Sequence, residues 1–290
     1  MEIKASMVKE LRDKTGAGMM DAKKALVETN GDMDKAVELL RQKGMASADK
    51  KMSRIAAEGT IASAIEGKVA AMVEVNCETD FVAKNEDFKE FASMMAKAVV
   101  VLNPSSVEEL LTMTCPVCNK VIEDVIKEKI AKIGEKITIR RFERYNVAGS
   151  VNTYIHNGKI GVMLEVTGDV PADLTKDVCL HIASNAPEFV SRDQIPAAVV
   201  EEEKRIEMGK EDLANKPEQI REKIVEGRVN KLMAQRCLLE QPFVKNPNVT
   251  VAQLIEGKCE IVKFDRYVLG EGLEKRQDNF AEEVMSQIKG

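Results

Sequence analysis

One stretch of this sequence occurs twice. Glu66-Gly67-Lys68-Val69-Ala70-Ala71-Met72-Val73-Glu74-Val75 is answered by Asn157-Gly158-Lys159-Ile160-Gly161-Val162-Met163-Leu164-Glu165-Val166. A β-rich run precedes each copy: Thr60-Ile61-Ala62 in the first and Ser150-Val151-Asn152-Thr153-Tyr154 in the second. Two such runs joined through Gly-Lys read as a hairpin. Each hairpin leads into a helical pattern, and each copy closes on a further strand, residues 137–145 and 260–267. Those strands share an echo, Phe142-Glu143-Arg144-Tyr145 and Phe264-Asp265-Arg266-Tyr267. The repeat restricts the core to an α+β fold of two related subdomains, each a small antiparallel sheet with helices on one face. Two copies do not make a solenoid.

Helical segments surround this core. Residues 1–45 read as three short helices: Ser6 caps the first, Thr15-Gly16-Ala17-Gly18 breaks it, and Asp32 caps the third after Asn30-Gly31. Residues 43–54 are polar and read as a linker. The second copy is interrupted between residues 195 and 240 by a charged helix and a second helix beginning at Pro217, with Ile220, Ile224, Val225 and Leu232 as its stripe. Joined by Ala214-Asn215-Lys216, they form a helical hairpin. The chain ends on an amphipathic pattern carrying Phe280, Val284 and Ile288. The expected domains are therefore 1–54, 55–147, 148–270 with its inserted hairpin, and 271–290.

At 290 residues the chain needs more than one core. Its net charge of −5 gives no footprint for phosphate backbones, so nucleic acid is not expected as a direct partner. No apolar run approaches the ~18 residues of a membrane span, and there is no apolar signal region, so a cytoplasmic protein without a membrane partner is expected. The six Cys fit reduced thiols better than a disulfide framework.

The first copy differs from the second just after its hairpin. There it carries Cys77-Glu78-Thr79-Asp80-Phe81-Val82-Ala83-Lys84-Asn85, between a strand and a helix with the stripe Phe88, Phe91, Met95, Ala98. Asp80 can cap a first short turn and Asn85 the long helix. Phe81 and Val82 then sit on an elbow from which a side chain is easily presented outward. The second copy has Thr167-Gly168-Asp169-Val170-Pro171 there, with no aromatic.

The stretch Thr79–Asn85 resembles the signature of the elongation factor Ts family. The likeness runs from Val8-Lys9-Glu10-Leu11 to Glu271-Gly272, and includes Thr15-Gly16-Ala17-Gly18-Met19-Met20-Asp21-Ala22-Lys23-Lys24-Ala25-Leu26 and His156-Asn157-Gly158-Lys159-Ile160-Gly161-Val162. It implies a ubiquitin-associated-type module at the N-terminus, a coiled-coil arm at the helical hairpin, and guanine-nucleotide exchange on elongation factor Tu, bound with GDP or nucleotide-free. It implies that Thr79, Asp80, Phe81 and Val82 meet the partner and displace its magnesium. Met19, Met20, Lys23, Ile133, Gly134 and His156 are implied as further contacts. The C-terminal helix is implied to reach the partner, and two copies of the two-protein complex could pair as a dimer. No cofactor, metal ligand or catalytic residue is implied.

The residues agree with a non-catalytic reading. There is no Gly-x-x-x-x-Gly-Lys-Ser/Thr phosphate loop, and no Ser/His/Asp or paired-carboxylate arrangement stands out. Cys115-Pro116-Val117-Cys118 departs from the family pattern. It has the spacing of half a zinc site or a thiol redox pair, but no second ligand pair accompanies it, and two free thiols in a loop is the plainer reading. Two rivals remain: a helical adaptor or scaffold without exchange activity, which leaves the duplicated core unexplained, and a thiol oxidoreductase, which needs a thioredoxin-like context.

Overall fold

The computed structural model describes residues 3–168 and 170–274. The helix expected over Phe280, Val284 and Ile288 lies outside the described residues. Two compact units divide the chain: the second takes Ser63–Met72 and Glu143–Tyr267, and the first takes the other described residues.

The chain opens with α1 (Ala5–Thr15), α2 (Met19–Glu28) and α3 (Met33–Lys51). Strands β1 (Glu58–Glu66) and β2 (Val69–Cys77) follow, then α4 (Asp80–Lys84), α5 (Glu86–Leu102), α6 (Val107–Thr112) and α7 (Ile122–Ile133), then β3 (Thr138–Asn146). The sheet order is β1-β2-β3. As the middle strand, β2 is buried without a break from Ala70 to Cys77, which is why its sequence reads as a near-continuous apolar run. The α5 stripe Phe88, Phe91, Met95 and Ala98 is wholly buried.

Val8, Leu11, Ala22, Ala25, Leu26 and Ala36 close a small core among the first three helices. Asp32 caps α3 as expected, accepting the Lys35 N–H at 3.1 Å. The Ser6 cap is not found: α1 starts at Ala5 with Lys4 in the capping position, so Ser6 lies inside the first turn. The linker expected at residues 43–54 is also corrected, since α3 runs on through Lys51. Met, Ala and Lys are strong helix formers and carry it forward. Gly44, inside the stretch that reads as a linker, permits a close crossing with α7. A Cβ at Gly44 would lie 2.8 Å from the Cβ of Ala131.

One charged side chain sits inside the β2 run. Glu74 has no exposed side-chain surface. It accepts from Arg140 Nη1 at 2.9 Å, Arg141 Nε at 2.7 Å and the Gly270 N–H at 2.9 Å. Burial works to raise its carboxyl, but those three donors outweigh burial and hold it below the ordinary value.

The second unit holds β4 (Ser150–His156), β5 (Ile160–Val166), α8 (Ala172–Asn185), α9 (Ala197–Met208), α10 (Glu218–Arg236), β6 (Pro242–Phe243), β7 (Asn246–Thr250), α11 (Val251–Ile255) and β8, which ends at Val268 after starting at Ile261. The sheet order β4-β5-β8 repeats that of β1-β2-β3, as the duplication requires. β4 and β5 are antiparallel, with Ser150 opposite Val166 and His156 opposite Ile160. Val162, Leu164 and Val166 pack with Val178, Cys179 and Ile182 of α8. The two Gly-Lys turns differ. Asn157 and Gly158 are both left-handed, at φ 51° and 71°, whereas in the first hairpin Glu66 stays in the strand and Gly67 is left-handed at φ 61°. Asn tolerates that conformation and Glu does not.

α9 and α10 form the expected helical hairpin. α9 stops at Met208, and the charged stretch beyond it turns through a short 3₁₀ helix at Glu211–Leu213. The α10 stripe is shifted from the expected one: Val225, Val229 and Met233 are buried with Leu213, while Ile220 is exposed. Among the described residues no helix is long and apolar enough to cross a membrane.

Candidate functional site: the elbow after the first hairpin

The elbow is built from its caps outward. Thr79 is in extended backbone and its hydroxyl accepts the Val82 N–H at 3.4 Å, opening the five-residue α4. Asn85 ends that turn and caps α5, accepting the Asp87 N–H at 2.9 Å. The Asn85 cap is as expected, but the first cap is Thr79 and not Asp80. A Thr hydroxyl can donate and accept at once, and here both functions are used. Asp80 is the first helical residue, and its carboxylate pairs with Lys84 at 2.6 Å.

Phe81 is 81% exposed. An isolated exposed apolar residue is ordinary, but a Phe this bare on a hydrogen-bonded turn is presented rather than packed. Val82, the next residue, is half-buried.

The elbow's backbone is tied to the chain that follows α7. Gly134 ends α7 at φ 89°. The next residue, Glu135, accepts from the Glu78 N–H at 3.1 Å, the Thr79 N–H at 2.9 Å and the Thr79 hydroxyl at 2.6 Å. In return Glu78 accepts the Lys136 N–H at 2.6 Å, and also pairs with Arg54. The structure thus ties Glu78 and Thr79 to Glu135 and Lys136, the two residues that follow Ile133-Gly134. Cys77, just before the elbow, is buried. Its thiol is pushed up to about 12, by burial first and then by the Glu135 carboxylate, so it is not a ready nucleophile.

Met19, Met20 and Lys23 lie on the exposed face of α2. Met19 and Met20 are 51% and 65% exposed, and the face continues to Val27, which is 56% exposed. Val27 was not singled out from sequence, although its spacing of four from Lys23 and eight from Met19 is the signal that finds it. Glu135 was also missed, and no local pattern marks it. His156 belongs to the second unit. It is exposed at the end of β4, with Nδ1 2.9 Å from the Tyr154 hydroxyl.

Cys115 and Cys118 lie in a loop closed by the bridge between Thr114 and Val121. Cys115 is buried, Cys118 is half-buried, and both are free thiols. Among the described residues no group of three or more His, Cys, Asp or Glu side chains could hold a metal ion.

Comparison with known proteins gives this arrangement a setting. The family described as elongation factor TS matches residues 78–271, which begins one residue before Thr79 and ends at Glu271. The elongation factor Ts of Alkalilimnicola ehrlichii is 48% identical over 294 residues, covering all of both chains. That of Thioalkalivibrio sulfidiphilus is also 48% identical, over 295 residues, again covering all of both. The chain is a translation elongation factor, a component of protein biosynthesis. It belongs to the elongation factor Ts family.

Proposed function

We propose that the protein is a guanine-nucleotide exchange factor acting by protein–protein binding in the cytoplasm. It engages elongation factor Tu in its GDP form and favours a state in which the nucleotide and magnesium contacts are weakened. GDP leaves, and GTP replaces it. The observation that carries this reading is Phe81, a bare aromatic on a backbone-locked elbow. Set into an apolar pocket beside the partner's magnesium site, it shifts the segment that bears the metal.

Magnitudes argue for a long contact surface. By linkage, a factor that weakens GDP about a thousandfold binds the nucleotide-free partner tighter by the same factor, about 4 kcal/mol. Burying one Phe is worth roughly 1.5–3 kcal/mol. The exposed Met19, Met20, Lys23 and Val27 face, the Ile133-Gly134 end of α7 and His156 supply further contacts in this reading.

Release of fluorescent GDP from purified elongation factor Tu, with and without the protein, tests it directly. Acceleration at catalytic amounts is the expected result. Binding without acceleration would leave only an adaptor.

A further inference from the structure

Among the described residues, little packs against Phe81 to aim it. At 81% exposure it makes little contact with the core, so its direction is inherited from the backbone of α4. That helix has five residues, too few to hold its own shape. The exposed Asp80–Lys84 pair adds little. What fixes the turn is the Thr79 hydroxyl, and its single proton is taken by Glu135 Oε1 at 2.6 Å. With the proton committed there, a lone pair is left for the Val82 N–H. The other carboxylate oxygen accepts two backbone N–H groups that would otherwise be orphaned before the helix. The far side of the clamp is anchored too: Lys129 and Lys132 of α7 reach Asp87 of α5 at 2.5 and 3.0 Å.

We propose that Glu135 is a positioning residue for nucleotide exchange, setting the direction in which Phe81 is presented by holding Thr79. This rests on the exchange reading above, and deepens it. Glu135 need not touch the partner. A Gln in its place keeps the size but turns one acceptor into an NH₂ group facing N–H or O–H donors.

The test is stopped-flow release of fluorescent GDP from elongation factor Tu by the full chain. Wild type, Glu135→Ala, Glu135→Gln, Phe81→Ala and the double variant Glu135→Ala with Phe81→Ala are compared. The maximal rate at saturating protein and the half-saturating concentration are read separately, with far-UV dichroism for folding. Glu135→Ala is expected to lower the maximal rate about tenfold and Glu135→Gln about threefold, since small misplacements of a working group are costly. Phe81→Ala is expected to lower it about tenfold to a hundredfold. The double variant should be no slower than Phe81→Ala alone, because a residue acting through another loses its effect when that other is gone. Multiplying losses in the double variant would overturn the proposal, as would folded Glu135 variants at the wild-type rate. If Glu135→Ala does not fold, Glu135→Gln carries the test. A slow Phe81→Ala beside a normal Glu135→Gln rejects the clamp and keeps the exchange reading. A normal Phe81→Ala rejects the wedge and the clamp with it.

Discussion

The hydroxyl of Tyr145 donates to the carboxylate of Asp265 at 2.5 Å, so the first copy's Phe-Glu-Arg-Tyr touches the second copy's Phe-Asp-Arg-Tyr. Lys263 of the same strand stands over the Tyr145 ring, 3.7 Å from its centroid. Tyr145 is almost fully buried. Tyr145→Phe keeps the ring and the cation contact but leaves the carboxylate short of a donor. A loss of about 1–3 kcal/mol in urea unfolding is expected. A midpoint equal to wild type would show that water replaces the hydroxyl without cost.

The crossing of α3 and α7 gives a sharper test. Gly44→Ala places a Cβ 2.8 Å from that of Ala131, and neither helix backbone yields easily. Overpacking of this kind costs about 1–3 kcal/mol. Combining Gly44→Ala with Ala131→Gly should restore stability, because the methyl has only moved across the interface. If the pair is no better than Gly44→Ala alone, the helix propensities and not the crossing set the effect.

These two contacts show how far the sequence could be read. The α5 stripe was legible because it is written in a local period, and the two middle strands because each is a short apolar run that the other copy repeats. The Asn85 cap was legible because Asn is a favoured capping residue immediately before that stripe. The Asp80 cap was misassigned because Thr79 beside it is equally suited, and the choice depends on Glu135 reaching Thr79 from beyond α7. Residues 43–54 read as a linker because nothing near Gly44 in sequence reveals Ala131. The shifted stripe of α10 has the same origin: Val229 and Met233 are inward because Leu213 folds back on them.

Glu74 predicts an acid limb. Its carboxyl lies below the ordinary value of 4.5 in the folded state, so the unfolded state binds the proton more readily. The stability it contributes is complete above pH 4.5 and is lost as pH falls through its depressed folded value. Glu74→Gln should flatten that limb and cost about 3 kcal/mol at neutral pH, because Arg140 and Arg141 lose a buried counter-charge. Urea midpoints from pH 7 to pH 3 measure both effects. An unchanged slope would mean that other carboxylates set the acid limit.

His181 acts at higher pH. It is buried, its Nδ1 accepts the Val244 N–H at 3.1 Å, and its Nε2 lies 2.8 Å from Gln241 Oε1, so the neutral ring with the proton on Nε2 fits the site. Burial lowers its pKa from 6.5, against the raising effect of Gln241. Stability is therefore complete above about pH 6.5 and declines as pH drops below it. His181→Gln should remove this slope between pH 7 and pH 5. Retention of the slope would assign it to another group.

The exposed α2 face predicts an effect on association alone. Met20→Asp with Val27→Asp alters two side chains outside the core, so the unfolding midpoint should hold. Calorimetric affinity for elongation factor Tu should fall about tenfold or more, as expected when charge enters an apolar contact. Unchanged affinity would remove this face from the interface.

The continuous α3 has a consequence for how the protein measures another body. A polar tether of about a dozen residues would let the α2 face and the elbow drift over many separations, diluting their joint effective concentration. A helix running to Lys51 and seated on α7 makes the pair a gauge block. It offers one spacing, so in the exchange reading proposed above, grip at one end brings the other to its station without a search.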